Sequence, residues 1–167
     1  MTKIGLISDT HGYLDDRVFE HFKDCDEIWH GGDIGDKSII EKLQNFKPLR
    51  AVYGNIDGKD IQALVPENQH FTIENIQVWI KHIGGYPPRY NPKVLKQLKL
   101  QTPDMFVCGH SHILRAMRDK DLANMIYLNP GAAGNEGFHT IKTLLKFTLD
   151  NRKFGNLEVI ELGKRGH

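Results

Sequence analysis

The sequence predicts an α/β fold, on three observations. In its first third, short apolar runs alternate with amphipathic segments, giving a β-α-β-α-β order. Helical crossovers of this length imply parallel strands. The second half is richer in strands, and many of the apolar runs break off at a glycine beside Asp, Asn or His.

The elements follow in chain order. Residues 3–7 read as a buried strand that stops at Asp9-Thr10-His11-Gly12. Asp15 or Asp16 can cap a helix running to about Asp24, with Val18, Phe19 and Phe22 on its apolar face. Glu27-Ile28-Trp29-His30 is a second strand, ending at Gly31-Gly32-Asp33. A helix from about Asp36 to Asn45 turns Ile39, Ile40 and Leu43 inward. Residues 48–53 form a third strand, ending at Gly54-Asn55-Ile56-Asp57-Gly58. Residues 69–75 and 76–82 read as two strands joined by a tight turn near Glu74-Asn75, the second ending at His82-Ile83-Gly84-Gly85. A loop from Tyr86 to Asn91 precedes a helix opening at Pro92, a favoured first-turn residue, with Val94, Leu95, Leu98 and Leu100 as its buried stripe. Asp104 to Cys108 is a further buried strand, stopping at Gly109-His110-Ser111-His112. Strands at 114–118, 125–128, 140–149 and 157–162 follow, with turns at Asn129-Pro130-Gly131 and Asn151-Arg152-Lys153. Residues 164–167 are expected as a loose tail.

Composition narrows the function classes. The 167 residues suit one domain, 1–167, with a substantial core, and no repeat, low-complexity stretch or linker divides it. With 22 Lys+Arg against 21 Asp+Glu, bulk charge offers no grip on nucleic acid or a membrane surface. No run is long enough to span a bilayer, and Met1-Thr2-Lys3 leads straight into a strand rather than a signal peptide. Cys25 and Cys108 lie in unrelated segments and read as free, buried thiols, so a cytoplasmic location is expected.

Five strand ends carry ligand-type side chains: Asp9 with His11, Asp33, Asn55, His82, and His110 with His112. Each has an ordinary explanation alone: Asp33 could cap the next helix, Asn55 could be a left-handed turn residue, and the histidines could be packed. Five coincidences beside glycines at strand ends are harder to dismiss, because ligands of open α/β sheets sit beyond the carboxyl ends of strands. Asp and Asn oxygens and four imidazoles, without a thiolate, suit manganese, iron, zinc, cobalt or nickel better than magnesium. Seven side chains are too many for one cation and right for two divalent ions sharing Asp33, the central carboxylate.

Asp9-x-His11, Gly32-Asp33, Gly54-Asn55, His82 and Gly109-His110-Ser111-His112, in this order, resemble the calcineurin-like metallophosphoesterase superfamily. The short, insertion-free chain is similar to its YfcE-like phosphodiesterase branch, and the retromer subunit of the same fold is a relative. The resemblance extends from Lys3 to about Leu162. It implies two mixed β-sheets packed as a sandwich flanked by helices. It also implies one metal held by Asp9, His11, Asp33 and His112, and another by Asp33, Asn55, His82 and His110, with manganese the leading candidate. Asp33, Asn55 and His110 are the residues expected to serve catalysis directly. His30 is expected either to orient a ligand or to be structural.

The implied chemistry is phosphodiester hydrolysis. Two cations lower the pKa of a water between them and supply hydroxide for in-line attack on phosphorus. Tyr86, Arg89 and Tyr90 follow His82 closely and are the candidate contacts to a small-molecule diester, with a proline-stiffened surface loop as the alternative. Much of the superfamily has Gly-Asn-His where this chain has Gly54-Asn55-Ile56, so the usual proton donor to the leaving group is replaced by isoleucine. A phosphomonoesterase, or a protein-interaction scaffold on the same fold, are the other readings. A homo-oligomer is compatible with either.

Overall fold

The computed structural model describes residues 1–166. Two mixed sheets face each other. The first contains β1 (Thr2–Ile7), β2 (Glu27–His30) and β3 (Leu49–Ala51), all parallel, extended by β11 (Ile141–Asp150) and β12 (Lys153–Lys164) in the order β12-β11-β1-β2-β3. The second contains β4 (Asn68–Ile73), β5 (Ile76–Lys81), β8 (Met105–Val107), β9 (Leu114–Asp119) and β10 (Met125–Pro130), in the order β4-β5-β8-β10-β9. Within it β5, β8 and β10 are parallel. A small hairpin of β6 (Gly85–Tyr86) and β7 (Arg89–Tyr90) stands apart.

The apolar runs are continuous because the parallel strands are covered on both faces. Ile4 and Leu6 of β1 point into the layer between the sheets, with Trp29, Val78, Ile80, Val107, Leu128 and Phe147. Ile7 points the other way, toward Val18 and Phe22 beside α1 (Arg17–His21) and Ile39, Ile40 and Leu43 of α2 (Lys37–Phe46). On the outer face of the second sheet, α4 (Pro92–Leu100) sets Val94 and Leu98 on Trp79, Phe106 and Tyr127. A short helix, α3 (Lys59–Gln62), follows the Gly54–Gly58 turn. Of the two residues expected to cap the first helix, Asp15 accepts from the Arg17 N–H and Asp16 makes no side-chain cap bond, while Asp36 accepts from the Ser38 N–H and Asn91 from the Lys93 N–H just ahead of Pro92. Both tight turns place two successive residues at positive φ, Glu74-Asn75 at 51° and 60° and Asn151-Arg152 at 43° and 72°, as two-residue hairpins require.

Several expectations are corrected. Helix α1 spans five residues rather than reaching Asp24, whose carboxylate instead binds the ammonium groups of Lys3 and Lys146. Leu100 is 80% exposed: two positions beyond Leu98 it falls on the opposite side of the helix. The Tyr86–Asn91 loop is largely the β6–β7 hairpin. Strand β10 runs through Pro130, and the turn comes at Gly131. Strand β12 starts earlier and ends later than 157–162, and the supposed tail is tied down. Arg165 N–H donates to the Thr140 carbonyl and Gly166 N–H to Asn135 Oδ1, while His167 lies outside the described residues. Both cysteines are free and buried. None of the described helices is long and apolar enough to cross a membrane.

Candidate metal centre

The seven ligand-type residues follow the carboxyl ends of β1, β2, β3, β5 and β8, so four come from the first sheet and three from the second. Their turns are tight. Asp9, His11, Asp33, His110 and His112 all adopt positive φ, between 47° and 71°. Strained backbone of this kind persists only where the surroundings enforce it, and it clusters at functional sites. Two glycines make the approach possible. A Cβ on Gly54 would collide with Asp33 Oδ1, and one on Gly32, at φ 103°, would sit 2.6 Å from His82 Nδ1.

Two sets of donor atoms converge: Asp9, His11 and His112, and Asp33, His82 and His110, each set with its atoms within 4.8 Å of one another. His112 Nε2 is 3.2 Å from Asp9 Oδ1, and His82 Nε2 is 3.1 Å from Asp33 Oδ2. The sets adjoin, because Asp33 Oδ2 is also 3.5 Å from His11 Nε2, and Asp9 Oδ1 is 3.9 Å from both His11 and His82. Asn55 completes the second set, its Oδ1 3.1 Å from His110 Nδ1.

In Asp9, Asp33 and His82 the outer atoms are held by hydrogen bonds. Asp9 Oδ2 accepts from Ser8 Oγ and the His110 N–H. Asp33 Oδ1 accepts from the Ile56 N–H. His82 Nδ1 donates to the Gly31 carbonyl, leaving Nε2 with its lone pair inward. Asp9 Oδ1, His11 Nε2 and His82 Nε2 are buried without a hydrogen-bond partner. Unpaired polar atoms are costly to bury, so these three, divided between the two adjoining sets, fit ligand positions for cations. Burial would raise the Asp9 carboxyl, but the imidazoles of His11, His112 and His82 outweigh it and hold it well below the carboxylate range.

Other side chains position these turns. Asp57, buried, accepts from the Ile34 N–H (3.1 Å) and Gly54 N–H (2.9 Å) at Oδ2 and from the Gly35 N–H (2.8 Å) at Oδ1. It thereby ties the Asp33 turn to the Asn55 turn. Thr10 Oγ1 donates to the Ile34 carbonyl, so His30 Nε2 donates to Thr10 and His30 Nδ1 accepts from the Gly32 N–H. Burial pushes His30 down to about 4, which keeps it neutral in this bridging role. Asn129 donates to the Gly109 carbonyl and Ser111 Oγ, and accepts from the Gly131 N–H. Asp57 and Asn129 were not singled out as anchors in the sequence. The only local signal was a carboxylate beside Gly58 and an amide in the Asn129-Pro130-Gly131 turn.

The proposed substrate loop divides. Arg89 is exposed, and Tyr86 is half-buried beneath the Arg115 guanidinium, 4.0 Å above its ring. Tyr90 is only 8% exposed, packed with Leu98, Phe106 and Tyr127, and its hydroxyl donates to Asp119 at 2.6 Å. Tyr90 is therefore a core residue, and its expected contact with substrate is withdrawn.

The sequence profile of the calcineurin-like phosphoesterase superfamily domain matches residues 2–152. A probable metallophosphoesterase of Methanothermobacter thermautotrophicus is 33% identical over 137 residues, covering 77% of this chain and 76% of the relative. Among solved structures, a protein described as a novel archaeal phosphodiesterase superposes with a TM-score of 0.73 at 22% identity, over 96% of this chain and 99% of that one. A variant of Vps29 from Entamoeba histolytica superposes with a TM-score of 0.74 at 14% identity, over 96% and 99% of the two chains.

Proposed function

The chain belongs to the calcineurin-like phosphoesterase superfamily, and on that premise we propose that it is a metal-dependent phosphodiesterase with a binuclear centre. The observation that carries this reading is the group of buried, unpartnered atoms, Asp9 Oδ1, His11 Nε2 and His82 Nε2, arranged around Asp33 Oδ2. Asp9, His11, Asp33 and His112 would hold one divalent ion. Asp33, Asn55, His82 and His110 would hold the other, with Asp33 shared. Manganese leads among the borderline cations that this oxygen and imidazole set accepts. Such ions supply an acidified water and withdraw charge from a phosphoryl oxygen.

The chain's own contribution is placement. Asp57, His30 and Asn129 fix the turns before any ligand arrives, so little reorganisation accompanies binding. Asn55 and His110 stand at the exposed mouth, where a phosphoryl group would meet them. The side chains first in line to protonate the leaving group are not free to do so. Ile56 has no proton to give. Asp57 is engaged by backbone N–H groups, and His139 has committed Nε2 to the Gly134 carbonyl. That favours leaving groups that depart as stable anions, such as aryloxides. The archaeal neighbour described as a phosphodiesterase supports the preference for diesters. A scaffold, the reading the Vps29 neighbour invites, would need these buried ligand atoms only to hold an ion and not for turnover, which the assay below separates.

Manganese-loaded protein is expected to release 4-nitrophenolate from bis(4-nitrophenyl) phosphate faster than from 4-nitrophenyl phosphate, and to stop when a chelator is added. Metal-independent release, or none, would count against the proposal.

A further inference from the structure

Beside the Asn55 and His82 half of the metal centre lies a cleft of about 190 Å³, lined by Tyr53, Gly54, Asn55, Glu67, Lys81, His82 and Ile83. Because it shares Asn55 and His82 with the candidate centre, whatever fills it abuts a phosphorus atom held there. Its flanks are the half-buried Tyr53 side chain and Ile83, which is 36% exposed. Ile83 is not isolated. Ile56 and Ile113, at 46% and 49% exposure, also directly follow candidate ligands, so exposed apolar residues adjoin the ligand turns at three places in the chain. Exposed isoleucine gains nothing from water, and three beside one site suit an apolar group on the ligand.

Charge narrows the choice further. The only ionic groups in the lining, Lys81 and Glu67, pair with each other at 3.3 Å. The Lys81 ammonium is thus answered by Glu67, and the cleft makes no demand for a second anionic group on the substrate. Size sets the upper limit. Pockets that enclose whole drug-sized ligands start at roughly 300 Å³, so this one takes a single ring rather than a complete nucleotide.

We propose that this cleft is the subsite for one uncharged, ring-sized substituent of the phosphodiester, seated between Tyr53 and Ile83. This inference rests on the phosphodiesterase reading for its chemistry, but its binding test does not. Zinc-loaded full-length protein is titrated with phenylphosphonate and with methylphosphonate by calorimetry, and amide shifts are followed by NMR. Phenylphosphonate is expected to bind about tenfold more tightly, the advantage one apolar subsite commonly gives. Its shifts should centre on Tyr53, Ile83 and Lys81. Ile83→Ser, at an exposed position, is expected to abolish most of that advantage. Equal affinities, shifts confined to other loops, or an unchanged ratio in Ile83→Ser would overturn the subsite. Turnover of bis(4-nitrophenyl) phosphate, measured in parallel, separates the two ideas. Ring preference without turnover keeps the subsite and sinks the phosphodiesterase. Turnover without ring preference does the reverse.

Discussion

Removing the Asp57 carboxylate should loosen two metal-bearing turns at once. Asp57 accepts three backbone N–H groups, from Ile34, Gly35 and Gly54, at 2.8–3.1 Å, and is buried. A hydrogen bond to a charged acceptor contributes roughly 1.5–3 kcal/mol, and the donors here would be left without partners. Allowing for non-additivity, Asp57→Ala is expected to cost about 4–6 kcal/mol. That is a large share of the roughly 5–15 kcal/mol total for a folded protein, so the variant can fail to fold. Asp57→Asn is the more informative change. Its one carbonyl oxygen can still serve Ile34 and Gly54, but its NH₂ then faces the Gly35 N–H, a donor against a donor. A loss of about 2–3 kcal/mol is expected in urea unfolding followed by far-UV circular dichroism. Retention of manganese after gel filtration should fall in step, because Asp33 and Asn55 sit on the released turns. Stability within about 0.5 kcal/mol of the parent, with metal fully retained, would refute the anchoring role.

Three further outcomes are expected. Asp33 Oδ2 faces both His11 and His82, so Asp33→Asn should lower kcat/KM by more than about 10²-fold and Asn55→Ala by less, with metal content ranking the same way. Ile56 is 46% exposed and reaches Asp33 only through its backbone N–H, so Ile56→His should be accommodated without disturbing the ligands. The parent's kcat/KM should climb steeply as leaving-group pKa falls. The histidine should flatten that slope, helping the poorest leaving groups by up to about 10²-fold. Asp15 accepts from Arg17 and lies 3.5 Å from buried Lys142, and chiefly the Arg17 bond holds its carboxyl below the usual range. A depressed folded-state pKa stabilises above the unfolded value, near pH 4, and that contribution is lost as pH falls. The parent should therefore lose about 1 kcal/mol more than Asp15→Asn between pH 6 and pH 3 in urea unfolding; parallel curves would contradict it.

What was legible in the sequence was local. Asp9, His11, Asp33, Asn55, His82, His110 and His112 each stand near a glycine just past an apolar run, so their convergence at strand ends follows from the pattern. The Glu74-Asn75 and Asn151-Arg152 turns were legible for the same reason, as polar pairs between strands. Leu100 was misread because helical spacing was counted loosely at the last turn. The role given to Tyr90 failed because strand alternation decides it. In the β6–β7 hairpin Tyr90 turns inward to Asp119 while Arg89 beside it stays exposed. Asp57 and Asn129 act through backbone groups of other turns, Asn129 at the Gly109 carbonyl and Asp57 reaching back more than twenty residues to Ile34 and Gly35. No local pattern reports such a bond. Only the folded arrangement brings these partners together.

The central claim is that one carboxylate, Asp33, joins two sets of ligands into a paired centre. Elemental analysis of manganese-loaded, desalted protein addresses it most directly. The account predicts about two ions per chain in the parent, falling below one in Asp33→Asn. A parent that saturates at one ion per chain with all seven side chains in place would contradict it.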